Sequence, residues 1–547
     1  MPHRSIALAT IAALLAVALP SGAAVAPRPL LPVGFVTAGP ADFAGMRAAG
    51  ATAVKVIADW SAIQREKGTF VWEVLDQSVT AARRAGLDVV IVLSYTPKWA
   101  SLATGVELND PMIFSRQPPK RITDWEAFVT AIVTKYRAQV KDWQVWTALS
   151  LPLFRGTDRE YLALLRATRA KARVADPSSR IILATPFGLD LISIRKAILE
   201  AGDSFDIISL SPRALAPETL MRPLGVLTQR VMGRAAKRIW IEWDPRSVGD
   251  RQTWPAQAIK LMAIARAFAV EHVFWAAEPA PGMAAAVSTF TAEVGNRPFA
   301  GFVVADRGIA FFFGDAEPAA AVAWSTSGEA SFKFDGNLKT MSPTGEARAA
   351  GSVGTEPVLV AGIGATSLAE AKSTLQSRGL PLPPSQDDFS QQTEVSAKLG
   401  RTNVERGLYN APFRSRRNGA VEPVEVSGSE AVRTSNAKDI VFIYFDVDDS
   451  FLFYVDGRSA VEISIEVHGA SAPDQLGFNV LYDSMSGYRF TSWQVVAAKD
   501  GWVTQTIHLN DAGFSNTWGW DFAINAGGNR KEDLTVRSVT VKKVARP

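Results

Sequence analysis

The chain contains no cysteine among its 547 residues and has only four histidines, at positions 3, 272, 468 and 508. The absence of cysteine excludes disulfides, thiolate metal sites and a cysteine nucleophile, and so few histidines argue against a multi-histidine metal centre. The net charge is also small, because 58 basic and 54 acidic residues leave only +4. That charge is too dilute for the concentrated basic face that nucleic-acid binding requires, so no nucleic-acid partner is expected.

Long apolar runs are lacking except at the N-terminus, where residues 6–19 carry no charge and follow Arg4. A run of this length is too short for a permanent transmembrane helix, and its flanks are typical of a secretory signal. We predict a signal peptide over residues 1–26, cleaved after Ala24 or Ala26. The mature protein is then exported, periplasmic or extracellular, without a transmembrane segment, and the lack of cysteine favours a bacterial source. The oligomeric state cannot be read from the sequence.

The chain is long enough for two to four domains, and its 47% apolar and 20% charged residues are typical of globular proteins. From residue 31 to residue 296, short β-branched runs alternate eight times with segments of helical periodicity. The predicted strands are residues 32–37, 53–59, 88–95, 142–149, 180–186, 205–212, 238–244 and 272–278. This pattern predicts an α/β fold, a (β/α)8 TIM barrel, over residues 27–297. An open doubly wound sheet is the alternative, but no glycine-rich phosphate loop follows the first strand.

After the barrel the pattern changes to short alternating segments broken by Gly, Asp and Ser. Residues 298–365 predict a small antiparallel β domain. Residues 366–388 begin with helical periodicity and continue as a proline-rich linker. Residues 389–547 contain no long helical pattern and predict a β-sandwich of the jelly-roll type.

The C-terminal ends of the barrel strands carry the most specific motifs. The segments VKVIADW (54–60), KGTFVW (67–72) and SYTPKWA (94–100) resemble the first three βα units of the retaining glycoside hydrolases that include family 39, and DWQVW (142–146) resembles their fourth strand. The similarity covers most of the barrel. It implies a carbohydrate substrate and two catalytic carboxylates, an acid/base after the fourth strand and a nucleophile after the seventh, about 5–5.5 Å apart.

The sequence departs from that family at both catalytic positions. In place of Trp-Asn-Glu-Pro it reads WTALS (146–150), which puts Ala148, a residue without a proton to donate, at the acid/base position. On the seventh strand the register places Trp243 at the nucleophile position. Glu242 then stands one residue before the nucleophile position, and its side chain faces away from that position unless a β-bulge turns it back. Loss of an acid/base alone typically costs about 10²–10⁴-fold in rate, so hydrolysis by the usual pair is not expected.

Three functional hypotheses remain open. In the first, a degenerate glycoside hydrolase-like barrel still recognises a polysaccharide or oligosaccharide. In the second, it is an active O-glycosyl hydrolase with a relocated pair. In the third, it is a non-catalytic structural or assembly subunit of a polysaccharide system, with a filled cleft and its tryptophans buried against one another. None of them requires a cofactor. The relocated pair would combine Glu242 with Glu278, Asp244 or Asp59.

Tryptophan is abundant, with 15 residues against 8 tyrosines. Several tryptophans lie at or near predicted strand ends of the barrel, where an indole face can stack on a pyranose ring. The predicted substrate-binding residues are Trp60, Trp99, Trp146, Trp243 and Trp275.

The C-terminal region resembles the galactose-binding-type jelly rolls that accompany many secreted glycosidases, on the segments YFDVDDSF (444–451), YD (482–483), GW (501–502) and DF (521–522). The resemblance implies a carbohydrate-binding module, with exposed aromatic side chains that stack on sugars. The aromatic candidates are Tyr488, Trp493, Trp518 and Trp520. A structural calcium ion is a further prediction, with Asp446, Asp448 and Asp521 as its ligands.

Overall fold

The structure is a computed structural model. It describes residues 31–149, 153–212, 216–247, 249–305, 307–349, 351–384, 387–411, 421–454, 460–469, 476–497, 501–517, 519–529 and 532–545. The predicted signal peptide and Trp518 lie outside these residues. Within the described residues, no helix combines the length and the apolar character needed to cross a membrane.

Eight parallel strands follow one another around a closed barrel, and the last pairs with the first, with Val273 opposite Val33. The predicted TIM barrel is therefore confirmed. The strands are β1 Val33–Thr37, β2 Ala53–Asp59, β3 Asp88–Ser94, β4 Val140–Val145, β5 Arg180–Phe187, β6 Ile207–Ser211, β7 Arg238–Trp243 and β8 His272–Trp275. The helices of this region are α1 Phe43–Ala48, α2 Trp60–Ile63, α3 Glu73–Arg84, α4 Pro111–Phe114, α5 Ile122–Tyr136, α6 Asp158–Ala175, α7 Leu191–Ala201, α8 Met221–Val226, α9 Trp254–Ala267 and α10 Met283–Glu293.

Five barrel strands, β3, β4, β6, β7 and β8, end earlier than the sequence pattern predicts. Strand β4 ends at Val145 instead of residue 149, because Trp146 has a φ of 70° and leaves the extended conformation. Tyr95, directly after β3, has the same positive φ. The two left-handed residues turn the chain at neighbouring positions on the barrel rim.

Side chains along the barrel strands alternate between the interior and the layer under the helices. The interior cluster is apolar and contains Ala53, Val90, Ile182, Ile207, Trp240 and Phe274. The opposite faces of the same strands contribute Val54, Ile91, Val145 and Ile241 to the main core. Burial on both faces explains why these strands read as continuous apolar runs.

A six-stranded antiparallel sheet follows the barrel, in the order β13-β12-β14-β11-β10-β9. Its strands are β9 Phe299–Ala305, β10 Gly308–Phe313, β11 Ala319–Ser325, β12 Gly336–Met341, β13 Ala347–Arg348 and β14 Val358–Ile363. Helix α11, Ala365–Arg378, packs on this sheet through the buried Leu368 and Ala371. The start of the predicted linker is thus a packed helix that completes the sheet's core.

The C-terminal region consists of two antiparallel sheets that share one apolar core, as the predicted sandwich requires. One sheet holds β15, β16, β18, β19, β21, β25 and β27, at Glu394–Lys398, Val404–Arg406, Glu422–Val426, Ser429–Arg433, Ala460–His468, Trp502–Leu509 and Thr535–Val544. The other holds β17, β20, β22, β23, β24 and β26, at Leu408–Asn410, Phe442–Val447, Gly477–Ser484, Gly487–Phe490, Gln494–Val495 and Phe522–Asn525.

Candidate functional site

The barrel interior contains a small polar layer around Lys55. Its Nζ atom donates to Gln144 Oε1 at 2.7 Å, to Ser209 Oγ at 2.8 Å and to Glu242 Oε2 at 3.0 Å. These partners lie on β4, β6 and β7, whereas Lys55 lies on β2, so the contacts cross the interior. All three ammonium protons therefore have an acceptor.

The two charged side chains of the polar layer differ in exposure. The Lys55 side chain is fully buried, whereas 17% of the Glu242 side chain is exposed. The Phe274 ring centroid lies 4.7 Å from Lys55 Nζ. Burial lowers the pKa of Lys55, and the charge and hydrogen bond of Glu242 act in the opposite direction. The layer thus presents a carboxylate that is paired with Lys55 and partly exposed near the C-terminal end of β7.

Glu242 faces the barrel interior, which corrects the prediction that it faces away. It lies two residues after the interior residue Trp240 and contacts Lys55 across the barrel. Trp243 consequently points outward into the main core. The predicted register shifted the inward-facing and outward-facing positions of β7 by one residue. A sequence match without a gap does not determine which face of a strand lies inside.

Two of the other candidate carboxylates, Asp59 and Asp244, have structural partners, and the third, Glu278, is exposed. Asp59 Oδ1 accepts hydrogen bonds from Ser61 Oγ and Ala62 N and caps α2. Asp244 pairs with Arg246 through two contacts of 2.8 Å. Glu278 lies exposed in the loop after β8, and Ala148 is buried. Asp59 and Asp244 are thus engaged in contacts of their own.

The predicted tryptophan platforms are mostly core residues, which contradicts their assignment to an open cleft. Trp60 stacks on Phe128 with ring centroids 5.2 Å apart, and Trp243 meets Trp275 edge to face at 5.5 Å. Trp60, Trp146, Trp243 and Trp275 are at most 1% exposed. Only Trp99 of this set is partly exposed; its indole N–H donates to Gln64 O, and the Lys67 ammonium lies 5.4 Å from its ring.

The predicted sites of the C-terminal sandwich are also largely packed. Trp520 is buried and lies 5.3 Å from the Tyr488 ring, in a cluster with Tyr444. Trp493 is half-buried. No group of three Asp, Glu or His side chains in the described part of the chain is arranged to hold a metal ion, so the calcium ligands Asp446, Asp448 and Asp521 gain no support.

Sequence reasoning missed Lys55, Gln144 and Ser209 as parts of the site. A signal for Lys55 was present: it is the single charge inside the apolar strand segment AVKVIA. A lysine at that position is buried, and a buried charge needs a partner. The partners themselves lie 89 to 187 residues further along the chain and carry no such signal.

Fold and site together describe a TIM-barrel protein with a buried lysine paired to a partly exposed carboxylate inside the barrel. Among solved structures, the chain is similar to a family 39 glycoside hydrolase from Bacteroides cellulosilyticus WH2, at 16% identity and a TM-score of 0.49, over 61% of this chain and 81% of that one. It is similar to a glucosidase from Croceicoccus marinus at 12% identity and a TM-score of 0.41, over 95% and 96% of the two chains. A family 30 subfamily 8 xylanase from Clostridium acetobutylicum matches at 14% identity and a TM-score of 0.43, over 61% and 96%.

No protein-family model and no curated protein matches the sequence. Function therefore has to be argued from the residues of this chain.

Proposed function

We propose that this chain is an exported glycoside hydrolase-like protein that binds a polysaccharide or oligosaccharide at the barrel mouth and does not hydrolyse ordinary glycosides. The observation that carries the proposal is the geometry of Glu242. Its carboxylate is held by Lys55, and 17% of its side chain is exposed near the C-terminal end of β7. A carboxylate of this kind accepts hydrogen bonds from sugar hydroxyl groups.

The proposed absence of hydrolysis is argued from the residues at the other candidate catalytic positions. Ordinary glycosides need a proton for the leaving oxygen, and Ala148 supplies none. Asp59 and Asp244 are held in other contacts. The N-terminal segment supports export, and the sandwich is proposed as an accessory carbohydrate-binding module.

The test is a binding and turnover screen of the purified chain on bacterial and plant polysaccharides. We expect retention on at least one polysaccharide without release of reducing sugar. Glu242→Gln keeps the shape but removes the charge, and a hydrogen bond to a charged group contributes about 1.5–3 kcal/mol, so affinity should fall by about 10-fold or more.

Trp60→Phe is the matched control, because Trp60 is buried and its loss should leave affinity unchanged. Equal binding by the wild type and Glu242→Gln would refute the barrel mouth as the site. Failure to bind any glycan would favour the structural or assembly role, which the buried tryptophans support.

A second candidate is a hydrolase restricted to activated glycosides, because Glu242 faces the interior as a nucleophile must. Aryl glycosides with good leaving groups need no proton donor, so dinitrophenyl glycosides test this nucleophile by itself. Burst release of dinitrophenol that Glu242→Gln abolishes would establish this activity. Ala148→Glu would then extend turnover to poorer leaving groups.

A further inference from the structure

A polar cavity of about 450 Å³ opens on the seven-stranded sheet of the sandwich, which includes β15, β21 and β27. This volume lies within the range of small-ligand pockets. The described residues that line the cavity all belong to the sandwich. The cavity is therefore separate from the carboxylate site in the barrel.

Strand register brings polar side chains of three neighbouring strands together at this cavity. Lys398 of β15 lies opposite Ser538 of β27, and Ser538 lies opposite Glu466 of β21. Neighbouring strands are about 4.8 Å apart, so the three residues form a row across the sheet. Glu466 stands between the core residues Ile465 and Val467, and its side chain consequently lies on the outer face.

A β-bulge in β27 adds Arg537 to the same face. The pairing with β21 skips Arg537, because Val536 and Ser538 oppose consecutive residues of that strand. Arg537 and Ser538 are consecutive, yet both are partly exposed and both line the cavity, whereas Val536 and Val539 are buried. Bulges re-aim side chains in this way and are common next to functional sites.

The Arg537 side chain is held in place and remains accessible. Its Nε atom donates to Glu466 Oε2 at 3.1 Å, and its Nη2 atom donates to Glu466 Oε1 at 2.9 Å. The Trp502 ring centroid lies 4.6 Å from Arg537 Cζ. The Arg537 and Glu466 side chains are each 31% exposed. A fixed bidentate pair of this kind keeps further N–H donors and carboxylate lone pairs for a ligand.

Two more charged side chains at the cavity are open to a ligand. Lys398 and Glu430 are exposed, and within the described part of the chain their side chains form no hydrogen bond or ion pair. The described lining thus holds two cations, Lys398 and Arg537, and two carboxylates, Glu430 and Glu466. These charges cancel, so the cavity offers donors and acceptors without a net charge.

We propose that this cavity binds a neutral sugar unit of a glycan, with Lys398 and Arg537 as donors and Glu430 and Glu466 as acceptors. The proposal rests on the accessory carbohydrate-binding role proposed for the sandwich and assigns a site to that role. A sugar hydroxyl group both donates and accepts, so it can use a cation and a carboxylate together. The balanced charges give no net attraction to a charged sugar.

The test is isothermal titration calorimetry of the full chain with cellohexaose, xylohexaose, mannohexaose and laminarihexaose, and with the anionic hexagalacturonate. We expect at least one neutral hexasaccharide to bind, with an affinity that changes little as the NaCl concentration is raised. Absence of binding by all the neutral hexasaccharides would overturn the proposal. Tighter binding of hexagalacturonate than of any neutral hexasaccharide would also overturn it.

Lys398→Met and Glu430→Gln should each reduce the affinity by about 10-fold or more, because each removes a hydrogen bond to a charged group. Both variants are expected to fold, since the two side chains are exposed and unpaired; a thermal melt verifies this. Lys542→Met and Glu394→Gln are the matched controls. They alter exposed residues that lie opposite each other on the same sheet and outside the cavity, and should bind as the wild type does.

Glu242→Gln separates this cavity from the barrel mouth. Affinity that falls in Lys398→Met but not in Glu242→Gln would support the cavity and refute the barrel mouth as a site. Affinity that falls only in Glu242→Gln would overturn the cavity as a sugar site and leave the barrel mouth in place. If both sites bind, each variant should weaken one of two binding events.

Discussion

At the scale of single residues, Lys55 determines how the barrel presents its carboxylate. A fully buried ammonium is costly unless it is paired and hydrogen-bonded. Here Gln144, Ser209 and Glu242 satisfy it from three different strands. The same contacts orient Glu242, so one lysine joins three other strands across the interior and positions the candidate binding group.

Replacing Lys55 is therefore expected to be costly. Lys55→Met leaves Glu242 without its cation and should lower the free energy of unfolding by about 3–5 kcal/mol. Glu242→Gln in the same chain should recover part of the loss, and urea unfolding of the single and double variants measures the coupling. Lys98→Met, at an exposed position, is the control. Strictly additive losses would show that the two side chains do not interact.

The lowered pKa of Lys55 also predicts a pH dependence. Between the folded-state pKa of Lys55 and the ordinary lysine pKa of 10.5, the unfolded chain binds the proton that folded Lys55 releases. The contribution of Lys55 to folding stability therefore rises with pH through that window. Urea unfolding of the wild type and Lys55→Met at increasing alkaline pH should show a stability difference that changes in this direction. A difference that is constant with pH would contradict the shift.

At the scale of secondary-structure elements, packing decides the role of the aromatic residues and of α11. The tryptophans near the strand ends fill the layer between strands and helices. Helix α11 approaches the six-stranded sheet closely at Gly301, where an added Cβ would lie 2.1 Å from Ala371 O. A side chain at this position would therefore push the helix away.

Gly301→Ala should loosen α11. We expect a loss of about 1–3 kcal/mol in unfolding free energy, as overpacking typically costs, and faster hydrogen exchange in α11. Gly351→Ala is the matched control, because an added Cβ there meets no atom within 4 Å. Unchanged exchange in α11 would show that the helix is not held by this contact.

At the scale of the whole molecule, the sandwich is anchored to the barrel. Tyr454 belongs to the sandwich, is 1% exposed and lies in the barrel's core cluster. Arg230 donates to Tyr454 O at 3.2 Å and stacks over its ring. A further contact joins the two parts, because Arg222 Nε of the barrel lies 3.3 Å from Asp449 Oδ2 of the sandwich.

Tyr454→Ala should weaken the attachment. Truncation of a buried aromatic side chain typically costs about 3–5 kcal/mol. Scanning calorimetry should show the sandwich unfolding at a lower temperature than the barrel. Phe490→Ala, at an exposed sandwich position, is the control. A melting profile equal to that of the wild type would contradict this anchoring role.

Much of the fold was predictable because its signals are local. The alternation of apolar runs and helical periods located all eight barrel strands, and β2 at Ala53–Asp59 has the predicted limits. The ends of β4 and β8 were less accurate, because rim residues such as Trp146 leave the strand through backbone conformations that composition does not reveal.

The candidate site was predictable only in part. The sequence by itself determined the strand order along the chain, the alanine at position 148 after the fourth strand and the presence of a carboxylate at Glu242. Tertiary structure alone decided that Glu242 faces inward, that Trp243 faces outward and that Lys55 holds the carboxylate. The physical reason is that strand pairing and helix packing, which join residues far apart in the chain, determine which face of each strand is inside.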